Sequence, residues 1–172
     1  MNLFLKKSFF AVIILIILGL LVLLIQNVNT APRVTFTTIE GKKIAMSDLR
    51  GKVVLVNFWA SDCLACVQEM PALVETYKQY QKKGLEVIAV AMPDDPPAQV
   101  LNYATQKKLP FPVMHDGLAE MTGKFGNVNL TPTTFIFDKQ GKQLQRTIGT
   151  LDFVKLNQLL NSELSAKHLA LN

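Results

Sequence analysis

Apolar residues fall into three kinds of run along the chain. The first is continuous. Phe9 to Ile25 is apolar throughout, interrupted only by Gly19. As a helix it spans on the order of 25 Å, near the hydrocarbon thickness of a bilayer. The second kind is short and rich in β-branched residues. Val53–Phe58 and Leu85–Ala91 are apolar at nearly every position and predict core strands buried on both faces. Val34–Ile39 alternates and predicts a strand, with a turn at Glu40–Lys43 and a short return strand at Lys43–Met46. Thr133–Asp138 and Leu144–Ile148 flank the turn Lys139–Lys142 and predict a hairpin. Phe111–His115 reads as a short extended piece, and its proline places it at a sheet edge.

The third kind of run is helical. Val67, Met70, Leu73, Val74 and Tyr77 recur at helical spacing and predict a helix to about Lys83, stopped by Gly84 and kinked at Pro71. Ser47–Lys52 predicts one helical turn closed by glycine. Further helices are expected at Ala98–Lys107, at Leu118–Phe125 before Gly126, and from Asp152 to about Lys167. The last carries Phe153, Leu156, Leu159, Leu160 and Leu164 on one side. Strand, helix, strand over residues 53–91 implies a right-handed crossover and a parallel pair. The fold class is α/β: a mixed central sheet with helices on both faces.

Three regions follow: an N-terminal membrane anchor over residues 1–26, a polar linker over 27–33, and one domain over 34–172. Lys6 and Lys7 precede the apolar run, which sets the N-terminus in the cytoplasm and the domain outside. A cleaved signal peptide would have a shorter apolar region and small residues at the cut. The exit Gln26–Pro32, with Asn29 two before Ala31, fits that poorly, so an uncleaved single-pass anchor is expected. No cysteine near the exit offers a lipoprotein anchor. Either reading delivers the domain to an oxidising compartment.

Composition narrows the function classes. Of the 172 residues, roughly 140 remain for the domain, enough for one core. The net charge of +5 is spread over lysine pairs such as Lys82-Lys83 and Lys107-Lys108 rather than gathered in a nucleic-acid-binding block. Two cysteines are too few for a disulfide framework or, without two further ligands, a structural zinc site. His115 and His168 lie far from them in sequence, so neither metal nor cofactor is expected.

The chemistry sits where the strand Val53–Phe58 hands over to a helix. Cys63 and Cys66, the only cysteines, occupy that junction. A helix N-terminus presents unpaired N–H groups and partial positive charge, which favours a thiolate, the species that attacks disulfides. Cys63 is the candidate nucleophile and Cys66, one turn inside, the resolving thiol of a dithiol–disulfide cycle. Glu69 shares a helix face with Cys66 and would exchange a proton with it if buried; otherwise it is an ordinary exposed glutamate. Asp62 either raises the Cys63 thiol pKa as a negative neighbour or caps the helix. Thr131-Pro132 precedes a core strand, where a proline is unusual and is either cis or a trans strand start.

Asn57-Phe58-Trp59-Ala60, Cys63-x-x-Cys66, Glu69-x-Pro71 and Thr131-Pro132-Thr133-Thr134-Phe135 together resemble the TlpA/ResA-like family of membrane-anchored, thioredoxin-fold thiol–disulfide oxidoreductases. The resemblance runs from about Val34 to Leu164 and includes a family-type insertion between Met92 and Gly117. It implies a thioredoxin fold, a redox disulfide between Cys63 and Cys66, proton handling by Glu69, and substrate binding by Trp59, Thr131 and Pro132. Asn57 takes the place of the buried aspartate of ordinary thioredoxins. Implied partners are disulfide-bearing exported proteins, with apocytochrome c as one client, and a membrane electron donor of DsbD type. The implied location is the bacterial cytoplasmic membrane, with the catalytic domain on the periplasmic side.

Asp62 and Ala65 depart from the aromatic residue and proline common in relatives. Asp62 disfavours the Cys63 thiolate, so a reducing potential is expected, nearer thioredoxin at about −270 mV than DsbA at about −120 mV. Two other functions compete: a peroxiredoxin-type thiol peroxidase and a metal carrier using the CxxC pair. Ala60 and Val56 stand where the peroxidase class has threonine and proline, which weakens the first.

Overall fold

The structure, a computed structural model, describes residues 12–20 and 30–165. The chain divides into two units, Met1–Thr30 and Ala31–Asn172. In the first, residues 12–20 are helical and exposed. The remainder of the expected anchor, Phe9–Ile25, lies outside the described residues. Among the described residues no helix is long and apolar enough to cross a membrane.

The second unit is built on β3 (Val53–Trp59), every residue of which is buried. It pairs in parallel with β4 (Leu85–Ala91), and β4 in parallel with the edge strand β5 (Val113–His115). On its other side β3 pairs antiparallel with β6 (Thr133–Phe137), and β6 with β7 (Gln143–Ile148). The order is β5-β4-β3-β6-β7, a mixed sheet. A separate antiparallel hairpin, β1 (Thr35–Thr37) and β2 (Lys43–Ala45), leads into a 3-10 turn at Met46–Leu49.

Alternation along β3 assigns its side chains to two cores. Val53, Leu55 and Trp59 join the cluster formed with α1 (Leu64–Tyr80), α2 (Pro97–Lys107) and α4 (Phe153–Ser165). Val54, Val56 and Phe58 face the opposite cluster, with Phe36, Met46, Met121 and Phe125. The helices are therefore unevenly shared: the second face is closed by the β1–β2 hairpin, the 3-10 turn and the five-residue α3 (Glu120–Lys124). Phe125 is the hub there, with ring centroids 5.2 Å from both Phe58 and Phe135.

Two helices differ from the sequence expectation at their ends. α1 is α-helical only to Tyr80; Gln81–Lys83 tighten to 3-10, and Gly84 closes the turn at φ +107°. It continues through Pro71, which has no N–H to give to the Val67 carbonyl. α3 starts at Glu120 rather than Leu118. Ala119 adopts a left-handed conformation and buried Asp116 accepts the Met121 and Thr122 amides, so the first turn is capped from behind and Leu118 stays exposed.

Candidate active site

Cys63 is the N-cap of α1, in extended conformation, and its Sγ accepts a hydrogen bond from the Cys66 amide at 3.2 Å. The sulfur thus sits on the unpaired N–H groups of a 17-residue helix. Cys63 and Cys66 are joined in a disulfide. Cys66 is fully buried and Cys63 half-buried, so an incoming sulfur reaches Cys63 first. Asp62 is exposed and precedes the cap; of its two readings, the capping one is corrected, because Cys63 itself caps the helix.

Glu69 is buried, at 7 % exposure. Its Oε1 accepts a hydrogen bond from the Asn57 side-chain amide at 3.3 Å, and its Oε2 accepts one from the Leu151 backbone amide at 3.0 Å. Burial pushes its carboxyl above the ordinary value; the Leu151 and Asn57 donors pull the other way and do not win. The same Asn57 amide also donates to Thr134 Oγ1 at 3.0 Å. This contact follows from register: Asn57 lies opposite Thr134 on the β3–β6 ladder, and alternation puts both on the α1 face. The result is a carboxylate one turn beyond the resolving cysteine, held by three elements and screened from water.

Thr131-Pro132 is a cis peptide. Phe58 opposes Thr133, so the next pair along the ladder would be Trp59 and Pro132, which sets the proline beside the strand end that carries the cysteines. Thr131 is half-buried, Pro132 buried, and Leu130 just before them is 57 % exposed. Trp59 is a correction to its expected place at the substrate surface. It is fully buried, packed on Tyr103 at 5.1 Å between ring centroids, with Nε1 unpartnered among the described residues. It belongs to the core beneath the site.

Three groups escaped the sequence reading. Buried Asp95 accepts two 2.6 Å hydrogen bonds from Ser61, one from its amide and one from its hydroxyl, and so fastens the turn before Cys63. The proline-rich stretch Pro93–Pro97 that carries Asp95 is visible in the sequence, but its partner is not. The Asp95 carbonyl meets His115 Nε2 at 2.7 Å, which occupies that histidine structurally. The Thr134 and Leu151 contacts had no sequence signal, since one needs the β6 register and the other is backbone. Among the described residues no group of three or more His, Cys, Asp or Glu could hold a metal ion.

The AhpC/TSA family matches residues 28–144. Thiol-disulfide oxidoreductase ResA of Bacillus thuringiensis (strain Al Hakam) is 42 % identical over 119 residues, covering 69 % of this chain and 68 % of that one. ResA of Bacillus subtilis (strain 168) is 31 % identical over 137 residues, covering 80 % and 75 %. Among solved structures, a thiol:disulfide interchange protein of the thioredoxin family from Chlorobium tepidum TLS superposes with a TM-score of 0.71 at 25 % identity, covering 79 % of this chain and 96 % of that one. With a CxxC disulfide capping the helix that follows the central strand of a thioredoxin fold, the chain belongs to the AhpC/TSA family and, within it, to the ResA-like thiol–disulfide oxidoreductases.

Proposed function

We propose that the protein reduces disulfides of exported proteins outside the cytoplasmic membrane, from an uncleaved N-terminal anchor. The observation that carries the dithiol chemistry is the buried Glu69 one turn beyond a sealed Cys66. In the reduced protein, the Cys63 thiolate attacks a client disulfide; one client sulfur leaves as thiolate and a mixed disulfide forms. Cys66 then gives its proton to Glu69 and attacks Cys63 Sγ. The second client sulfur leaves, the client gains two electrons, and the Cys63–Cys66 bond re-forms. Glu69 returns the proton when the pair is next reduced. Thr131 and Pro132 hold the client chain beside Cys63. A membrane dithiol donor of DsbD type supplies the two electrons, and the haem-site cysteines of apocytochrome c are one client class.

The test pairs chemistry with topology. Reduced protein is mixed with a peptide bearing an intramolecular CxxC disulfide or with hydrogen peroxide, and thiol loss is followed. Faster reaction with the peptide is expected; peroxide consumption at a comparable rate revives the peroxidase reading. Copper retained stoichiometrically by the reduced protein through Cys63 and Cys66 revives the carrier reading. Protease added to intact spheroplasts should degrade the domain, and protection would contradict the location. A potential above about −180 mV, the value for protein disulfide isomerase, would contradict the reducing direction.

A further inference from the structure

The connection between β7 and α4 touches both halves of the site through backbone alone. Leu151 donates its amide to Glu69 Oε2 at 3.0 Å, and Gly149, two residues earlier, donates its amide to the Pro132 carbonyl at 2.8 Å. The segment has little freedom. Leu151 is buried, Gly149 stands at φ +93°, and Asp152 fastens the far side by accepting the Val154 and Lys155 amides at 3.1 Å each. A backbone donor cannot be lost by a rotamer change, so this stretch fixes distances that side chains alone would leave adjustable.

We propose that Gly149–Leu151 is a positioning strap, setting the Glu69 carboxylate and the Pro132 segment relative to each other so that proton transfer and client holding share one backbone reference. The proposal rests on the roles given above to Glu69 and Pro132. Among the described residues no charged side chain bonds to Glu69: β3 and β6 present Asn57 and, through it, Thr134, and the strap presents an amide. The titratable groups on the elements that hold it are Cys66 (a disulfide here), Glu75, Tyr77, Lys78 and Tyr80 on its own helix and, beside Leu151, the exposed Asp152, paired with Lys155 at 3.4 Å; β3 and β6 carry none.

The strap has a matched control. An alanine Cβ at Gly149 would meet nothing within 4 Å, so Gly149→Ala acts through its positive φ and not through a clash. Gly41, in the β1–β2 turn, stands at φ +80° and is equally open. Gly41→Ala therefore imposes comparable backbone strain on a turn that touches neither Glu69 nor Pro132. The readouts are KM for a disulfide peptide and the pH profile of Cys66 alkylation in the reduced protein. Gly149→Ala should raise KM about 10-fold, within the ~100-fold that a 1 Å misplacement can cost. It should also move the alkylation midpoint to higher pH, because a weakened Leu151 bond leaves the carboxyl less stabilised as an anion. Gly41→Ala should leave both at wild-type values.

A measurement on the wild type covers the case in which Gly149→Ala fails to fold. By NMR, the Leu151 and Gly149 amide protons should titrate with one midpoint, that of the Glu69 carboxyl carbon. If Gly149→Ala behaves as Gly41→Ala, or the Gly149 amide is blind to the Glu69 titration, the strap is refuted and the roles of Glu69 and Pro132 stand. If wild-type alkylation and client KM show no dependence on Glu69 or Pro132, those roles fail and the strap with them.

Discussion

Replacing Asn57 with leucine keeps a branched side chain of similar size and removes the donor shared by Glu69 and Thr134. Both hydrogen bonds are buried. Near pH 4 Glu69 is protonated, since burial holds its carboxyl above the ordinary 4.5. Two neutral bonds are then lost, at about 1 kcal/mol each, for a cost of about 2 kcal/mol. Above its raised folded value the carboxyl is ionised. The bond to Thr134 still costs about 1 kcal/mol, but the bond to Glu69 is now charge-assisted, and leaving a buried carboxylate oxygen bare costs about 2–3 kcal/mol. The total is about 3–4 kcal/mol. The sign follows from linkage. A carboxyl whose folded pKa is raised disfavours folding when ionised, so its penalty is absent below the unfolded value and complete above the folded one. Loss of a donor to the anion deepens that penalty only on the alkaline side. Urea unfolding of the oxidised protein at pH 4 and at rising pH should therefore show N57L losing at least about 1 kcal/mol more on the alkaline side of the Glu69 titration, and the excess should vanish in an E69Q background. Equal losses on both sides of that titration would show that Asn57 does not bond an ionised Glu69, and the reasoning would fail.

Other consequences are quicker to state. Phe125→Ala empties the hub of the second core and should cost about 3–5 kcal/mol by urea unfolding, with the Cys63 alkylation rate unchanged. Asp95→Ala releases the Ser61 amide and hydroxyl; it should cost about 2–3 kcal/mol and also alter the rate at which Cys63 is alkylated, because the released turn leads into the helix cap. Asp62→Asn should speed Cys63 alkylation at pH 7 by up to about fivefold, the ~1 kcal/mol of a unit charge 4 Å away in water, and the gain should shrink in 0.5 M salt as the charge is screened.

How far the sequence could be read depended on whether a feature was local or set by register. β3 and β4 were legible because a fully buried strand needs an unbroken apolar run, and the redox pair because a strand, a turn and a helix must adjoin for CxxC to cap anything. Glu69 was legible by spacing alone, with its burial left open: whether a helix face carrying a carboxylate turns inward depends on what opposes it, here Asn57 and the Leu151 amide. Trp59 shows the reverse error. The family resemblance implied client contact for it, yet the β3 alternation that buries Leu55 buries Trp59 as well. Asp95 was missed because nothing local says that a loop aspartate 34 residues away will fasten Ser61.

The central claim is that Cys63 attacks and Cys66 resolves. Cys66→Ala removes the resolving thiol and should leave Cys63 holding its client as a stable mixed disulfide, recovered from envelope extracts under non-reducing conditions and released by dithiothreitol. The captured proteins should carry cysteine pairs. If Cys66→Ala captures nothing while Cys63→Ala, with Cys66 intact, captures a client, the roles are reversed and the account of the site is wrong.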